Sequence, residues 1–503
     1  MIRTILCAAL AVSGVLAADL ATAQSPDVPS LITPVTTKAG IAGDMPEGVR
    51  HINYNSALAR RLSPGSPVLV ALPDGTNVTL NFEKRKRNPS GSVTWVGQLA
   101  GYSQSYKAII TDDGEHVFGR ILTPDGVYLL RTIDGVQQLL NPRAAGLEEL
   151  HLGNDEAVPP APSSRSADQR AAKSTPPAEN SGHDEMATVD VLLAYSTGLA
   201  TQLGGGLQAR LDYLIATANQ AYENSEIYLR IRVVHSVEID FSDTETTNGY
   251  TLQGMTPNYI WTPTPPSLLV LPELRNTYGA DLVTFVRRFQ HPEQASCGTA
   301  WVLGFNNAGT VNGEEAFGYS VVSDGIDNGY FCDDFTLAHE LGHNMGSTHD
   351  RPNAGDPGVF PYSYGYGDSG EFGTVMSYIS PAIAVFSNPN LDCFGQPCGI
   401  AHPDAASADN ARSINNTRFE IAAFRATEVP ESCTPEETLT LENELVSGVV
   451  TETACAIVAG PSYTVSSTAD VTFNATESIT LRPGFQVAIG GRFAASVDPM
   501  LEP

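Results

Sequence analysis

Residues 339–350 read His-Glu-Leu-Gly-His-Asn-Met-Gly-Ser-Thr-His-Asp, and this run admits few folds. His339 and His343 are four residues apart, so on a helix both imidazoles leave the same face and aim at one point. Glu340 beside them is placed to take a proton from a water held by a metal. Gly346 tolerates the backbone angles of a sharp helix-ending turn, which brings His349 round as a third ligand. Three neutral imidazoles leave a fourth position open for water, the arrangement of catalytic rather than structural zinc. Leu337, Leu341 and Met345 recur every four residues as an apolar stripe roughly opposite the histidines. The helix is therefore expected to face the core with its leucines and a cleft with its imidazoles. Asp333 or Asp334 is expected to cap its N-terminus.

The extended motif resembles that of the metzincin zinc metalloproteases. Asp350, directly after the third His, resembles the reprolysin (adamalysin-like) branch, here of a secreted bacterial type. Thr374-Val375-Met376-Ser377-Tyr378 resembles the Met-containing turn that lies beneath the metal in that family. The resemblance implies that Met376 floors the site without binding the ion. It also sets Tyr378 where astacin- and serralysin-like members carry a tyrosine able to reach the metal, the alternative being an ordinary half-buried tyrosine. The function it implies is that of a zinc-dependent endopeptidase acting on protein or peptide substrates, with Glu340 as general base. Nothing in the sequence supports a calcium site.

The N-terminus carries Arg3, an apolar stretch from Ile5 to Leu16 and the small-residue run Ala21-Thr22-Ala23. That is the pattern of a secretory signal peptide over residues 1–23, and no later run reaches the roughly twenty apolar residues of a membrane span. Export discards Cys7 and leaves Cys297, Cys332, Cys393, Cys398, Cys433 and Cys455. An even count in an exported chain favours three disulfides. Proximity along the chain suggests Cys297 with Cys332, Cys393 with Cys398, and Cys433 with Cys455. No cysteine lies between Cys7 and Cys297, so a thiolate from the N-terminal region cannot mask the metal. The net charge is −28, and from residue 187 onward 37 acidic residues face 12 arginines and no lysine. So acidic a body argues against nucleic acid as a partner.

Residues 24–154 read as all-β. Short apolar runs alternate with Asp74-Gly75, Asp113-Gly114, Asp125-Gly126 and Asp134-Gly135, each suited to a tight hairpin turn. Lys84-Arg85-Lys86-Arg87 interrupts this region as a solvated loop or as a basic patch that docks on the acidic part. Residues 155–186 are rich in Pro, Ala and Ser and are expected to form a disordered, nickable linker. Residues 187–428 alternate strand and helix signals, an α/β catalytic domain with a twisted, mostly parallel sheet. The resemblance implies that Cys297–Val302 is an edge strand above the cleft, able to pair with an extended peptide. Residues 429–503 read as a small all-β module. A signal peptide, a β-rich region, a linker and then a protease is the order of a zymogen. The N-terminal region is thus expected to be a propeptide and the inhibitor of its own enzyme.

Overall fold

The computed structural model describes residues 28–35, 46–150, 155–160, 185–257, 259, 265–429 and 438–497. The signal-peptide stretch, Cys433 and most of the expected linker lie outside them. The chain divides into two compact units, Met1–Ala145 with Gln208–Arg210, and Gly146–Leu207 with Leu211–Pro503.

The first unit is a closed barrel of nine strands: β1 (Ser30–Pro34), β2 (Val49–Tyr54), β3 (Pro67–Ala71), β4 (Asn77–Arg87), β5 (Val93–Leu99), β6 (Lys107–Asp112), β7 (Val117–Thr123), β8 (Gly126–Ile133) and β9 (Val136–Leu140). From β3 to β9 each strand pairs antiparallel with the next, β2 returns to β9, and β1 closes the ring by pairing parallel with β3. Three of the four Asp-Gly pairs sit between consecutive strands, and Asp125-Gly126 leads from the β7 turn into the start of β8. At Asp134-Gly135 both residues have positive φ, 49° and 76°, as a two-residue turn demands. Leu31, Val68, Leu80, Trp95, Ile110, Ile121 and Leu130 fill the interior with no more than 2 % exposure.

The basic run is not a loop. β4 continues through it, with Lys84 opposite Val96 and Arg87 opposite Val93. Arg85, Lys86 and Arg87 are all exposed, so both faces of the strand are wet at this end and the charges stay solvated.

The second unit is built on a six-stranded sheet. Its strands are β11 (Glu156–Ala157), β12 (Ala187–Ser196), β13 (Leu229–Ile239), β14 (Leu282–Arg288), β15 (Gly298–Trp301) and β16 (Tyr319–Asp324), in the order β11-β15-β16-β14-β12-β13. Every neighbouring pair is parallel except β15 with β16. A parallel sheet needs both faces covered, and β14 and β12 accordingly read as near-continuous buried runs. A short strand, β10 (Glu148–Glu149), pairs with Tyr330–Phe331. Residues 155–157 depart from the expected linker: Asp155 and Glu156 are 7 % and 8 % exposed, and β11 adds to the sheet outside β15.

Residues 438–497 form two parallel sheets. Thr438–Leu441, Val449–Ala459, Asp470–Leu481 and Arg492–Val497 make one, and Glu444–Val446, Tyr463–Val465 and Gln486–Val487 the other. Successive segments alternate between the sheets, with Ile457, Val465, Val471 and Phe473 buried in the core.

The barrel interior supplies a stability test. Trp95 is fully buried, its ring 5.6 Å from that of Phe82. Trp95→Ala should cost about 3–5 kcal/mol of unfolding free energy, read by urea denaturation of the barrel. A cost below about 1 kcal/mol would mean that the barrel is not packed around this ring.

Candidate active site

The motif helix spans Thr336–Asn344. Leu337, Leu341 and Met345 are fully buried, as the stripe requires. The cap differs from expectation. The N-cap residue is Phe335, while the Asp333 carboxylate accepts from the Phe335 N–H and the Tyr213 hydroxyl donates to Asp334. The aspartates are spent one step before the helix begins, a distinction too local to read from residue type. At the other end Asn344 donates to the carbonyls of Trp301 (3.0 Å) and Tyr319 (3.1 Å), tying the helix to β15 and β16. Gly346 then turns the chain at φ 88°. A Cβ there would meet Val359 Cγ1 at 2.5 Å, so the position excludes side chains on two counts.

That turn brings His349 to the other two histidines. His339 Nε2 lies 3.1 Å from His343 Nε2 and 3.1 Å from His349 Nε2. The opposite ring nitrogens are held. His339 Nδ1 lies 2.8 Å from the Val375 carbonyl and His343 Nδ1 lies 3.0 Å from the Ser347 carbonyl. A carbonyl only accepts, so each Nδ1 carries the proton and each Nε2 presents its lone pair inward. Burial, reinforced by His343, pushes His339 down to about 3, and burial with His349 lowers His343, so both rings are neutral at ordinary pH. The lone pairs of His339 and His343, facing one another at 3.1 Å, repel unless an electron-pair acceptor sits between them. The donor set therefore fits a metal cation, and the carbonyl partners are the supporting contacts that metal-binding histidines use. Asp155 completes the cluster: one ligand atom each from Asp155, His339, His343 and His349 all lie within 4.8 Å of one another.

Glu340 is 1 % exposed, and its Oε2 has no hydrogen-bond partner among the described residues. Burial, then the charges of Asp155 and Glu156, holds its carboxyl well above the usual carboxylate range. The space for it is made by Gly298, where any Cβ would collide with the Glu340 carboxylate. Met376 is fully buried and packs against Gly342, where a Cβ would collide with the Met376 sulfur. Neither glycine stands out in the sequence, although each is required by a motif residue that does.

Asp350 has a structural task. Its Oδ1 accepts from Ser377 Oγ (3.1 Å) and from the Tyr378 N–H (3.0 Å), and Oδ2 accepts from Asn353 (2.8 Å). The residue after the third His thus anchors the turn that carries Met376. Tyr378 points its phenol at the cluster and donates to Asp155 Oδ1 at 2.6 Å, its ring 4.3 Å from that of His349. Burial, then the Asp155 charge, raises its pKa far above the ordinary phenol value.

Two disulfides match the suggested neighbours. Cys297–Cys332 links the root of β15 to the segment entering the motif helix, and Cys393–Cys398 closes a small hairpin. Cys455 is also disulfide-bonded, with Cys433 outside the described residues. Beside His339 and Glu340 lies a cavity of about 60 Å³, bounded by Ser296, Phe335, Thr336, Val375 and Ala382.

The comparisons agree with this geometry. Residues 185–403 match the family model described as metallo-peptidase family M12B, reprolysin-like, and residues 32–140 match a BamI lipocalin-like domain. The chain therefore carries a metzincin-type metallopeptidase domain. Among its relatives is a peptidyl-Asp metalloendopeptidase of Pseudomonas aeruginosa, 34% identical over 272 residues, 49% of this chain and 42% of that one. The chain thus spans less than half the length of that relative. A second protein of the same name, from Xanthomonas campestris, is 26% identical over 390 residues, 73% of this chain and 84% of its own length. A solved structure, metalloproteinase-II from Bacteroides fragilis, aligns with a TM-score of 0.34 at 11% identity over 58% of this chain and 84% of that one, too distant to carry an argument.

The Gly342–Met376 contact yields a test. Gly342→Ala should destabilise the second unit by about 1–3 kcal/mol through overpacking and reduce metal retention, measured by thermal melting and metal analysis after dialysis. Unchanged melting and metal content would show that Met376 does not press on the helix.

Proposed function

We propose that the chain is a secreted zinc endopeptidase made as a zymogen. The observation that supports this most is the convergence of the Nε2 atoms of His339, His343 and His349 beside a buried Glu340 whose Oε2 has no hydrogen-bond partner among the described residues. When bound, zinc supplies a Lewis acid that polarises a carbonyl and acidifies water. Glu340 takes the proton of the attacking water and returns it to the leaving amine, a role suited to a carboxyl whose burial raises its pKa. Tyr378, once its phenol is free of Asp155, donates to the oxyanion of the tetrahedral intermediate. The edge of β15 offers main-chain groups to an extended substrate, which leaves selectivity to side-chain pockets.

Two relatives carry the name peptidyl-Asp metalloendopeptidase, and we extend to this chain a preference for cleaving beside aspartate. Export through residues 1–23, a propeptide over 24–154 and processing within 155–186 complete the reading. The barrel region serves as the propeptide and inhibitor.

Glu340→Ala should keep its metal and lose activity by roughly a hundredfold to ten-thousandfold, since the ligands survive and the base does not. Cleavage of a peptide library at wild-type rates by this variant, its purity checked, would defeat the mechanism. N-terminal sequencing of the active form should place its start after residue 157. An active enzyme that begins at Gln24 or Ser25 would make the propeptide reading wrong.

A further inference from the structure

We propose that Asp155, anchored by Glu156, is an aspartate latch that takes the fourth metal position and keeps the uncut chain inactive. The proposal rests on the metalloendopeptidase reading and adds the residue that regulates it. Asp155 Oδ1 lies 2.9 Å from His349 Nε2 and 3.9 Å from His343 Nε2, and Oδ2 lies 3.5 Å from His339 Nε2. The carboxylate thus faces the Nε2 atoms of all three histidines. It also accepts the phenol proton of Tyr378 at 2.6 Å, which removes that group from service.

Glu156 fixes the latch from the other side of His349. Its Oε1 accepts from the Thr348 hydroxyl and from the His349 N–H (3.2 Å), and lies 3.3 Å from His349 Nδ1. Its Oε2 accepts from the Gly355 N–H at 2.9 Å. Two consecutive carboxylates, each less than a tenth exposed, are costly to bury without charge or hydrogen-bond partners. Here one is met by a ring of N–H and O–H donors and the other by the metal site, an arrangement a passive linker has no reason to adopt.

The same segment blocks the cleft along its main chain. β11 lies parallel to β15, with Glu156 opposite Ala300 and Ala157 opposite Trp301. The Ala300 N–H donates to the Asp155 carbonyl (3.0 Å) and the Val302 N–H to the Ala157 carbonyl (2.8 Å). Those are the edge groups an extended substrate would need. Upstream, Leu150 packs with Phe289 and Cys332, and Ser380 donates to Glu149 at 2.8 Å, a second foothold beyond the metal. Cutting the backbone between residues 157 and 187 turns an intramolecular latch into a dissociable peptide, which lowers its effective concentration at the site.

The test uses the full chain in a Glu340→Ala background, so that no molecule cuts itself. It is loaded with cobalt(II) and titrated with acetohydroxamate, with the visible absorption of the metal as the readout. Asp155→Ala and the similarly shaped Asp155→Asn should bind acetohydroxamate roughly a hundredfold more tightly than the parent if the latch is open in about one molecule in a hundred. The parent spectrum should then stay unmoved at concentrations that saturate both variants. Circular dichroism checks folding, and the asparagine variant decides if the alanine variant does not fold. Equal acetohydroxamate affinity in the parent and a folded variant would overturn the latch. Failure of every form to take up cobalt would sink the metal site and the latch with it. A processed wild-type chain that binds cobalt yet cleaves no peptide would sink the peptidase reading alone.

Discussion

The second unit is organised around one electrostatic constraint, the inward convergence of three imidazoles, with the Nε2 atoms of His343 and His349 each 3.1 Å from that of His339. It holds because the Val375 and Ser347 carbonyls fix the tautomers of His339 and His343. Val375 belongs to the turn that carries Met376, and Ser347 to the turn made by Gly346. Each ligand is therefore oriented by the loop that the neighbouring motif residue creates. Asp350 closes the circuit, since its carboxylate holds the N–H of Tyr378 and the hydroxyl of Ser377. The motif is better understood as two loops locked onto one helix than as three ligands and a base.

Close packing makes that arrangement rigid. Gly298, Gly342 and Gly346 lie where Glu340, Met376 and Val359 leave no room for a Cβ. Preorganisation of this kind matters because a base or a ligand displaced by an ångström loses much of its effect. The Cys297–Cys332 disulfide works in the same sense, joining the root of the edge strand to the entry of the motif helix.

Much of the site was legible in the sequence because its information is local. The spacing of His339, His343 and His349, the Gly346 turn and the Met376 segment each carry their geometry within a dozen residues. The barrel hairpins were legible for the same reason, through Asp-Gly pairs at their turns. Lys84–Arg87 misled, because a run of charge looks like a loop until its pairing with β5 is known. Asp155 and Glu156 were hidden in another way. Glu156 and Gly355 are 199 positions apart, and no periodicity or composition marks an acidic pair that will dock on a distant histidine cluster. Long-range pairing of a short strand is the kind of information that a single sequence carries weakly.

The central claim is that a metal held by three histidines is silenced by a carboxylate of the same chain. X-ray absorption at the metal edge of the purified, uncut protein tests it most directly. The predicted result is a shell of nitrogen and oxygen scatterers with the outer-shell signature of imidazole rings, in which removal of the segment containing Asp155 replaces a carboxylate oxygen by water. A sulfur scatterer in that shell, or the absence of imidazole scattering, would contradict it.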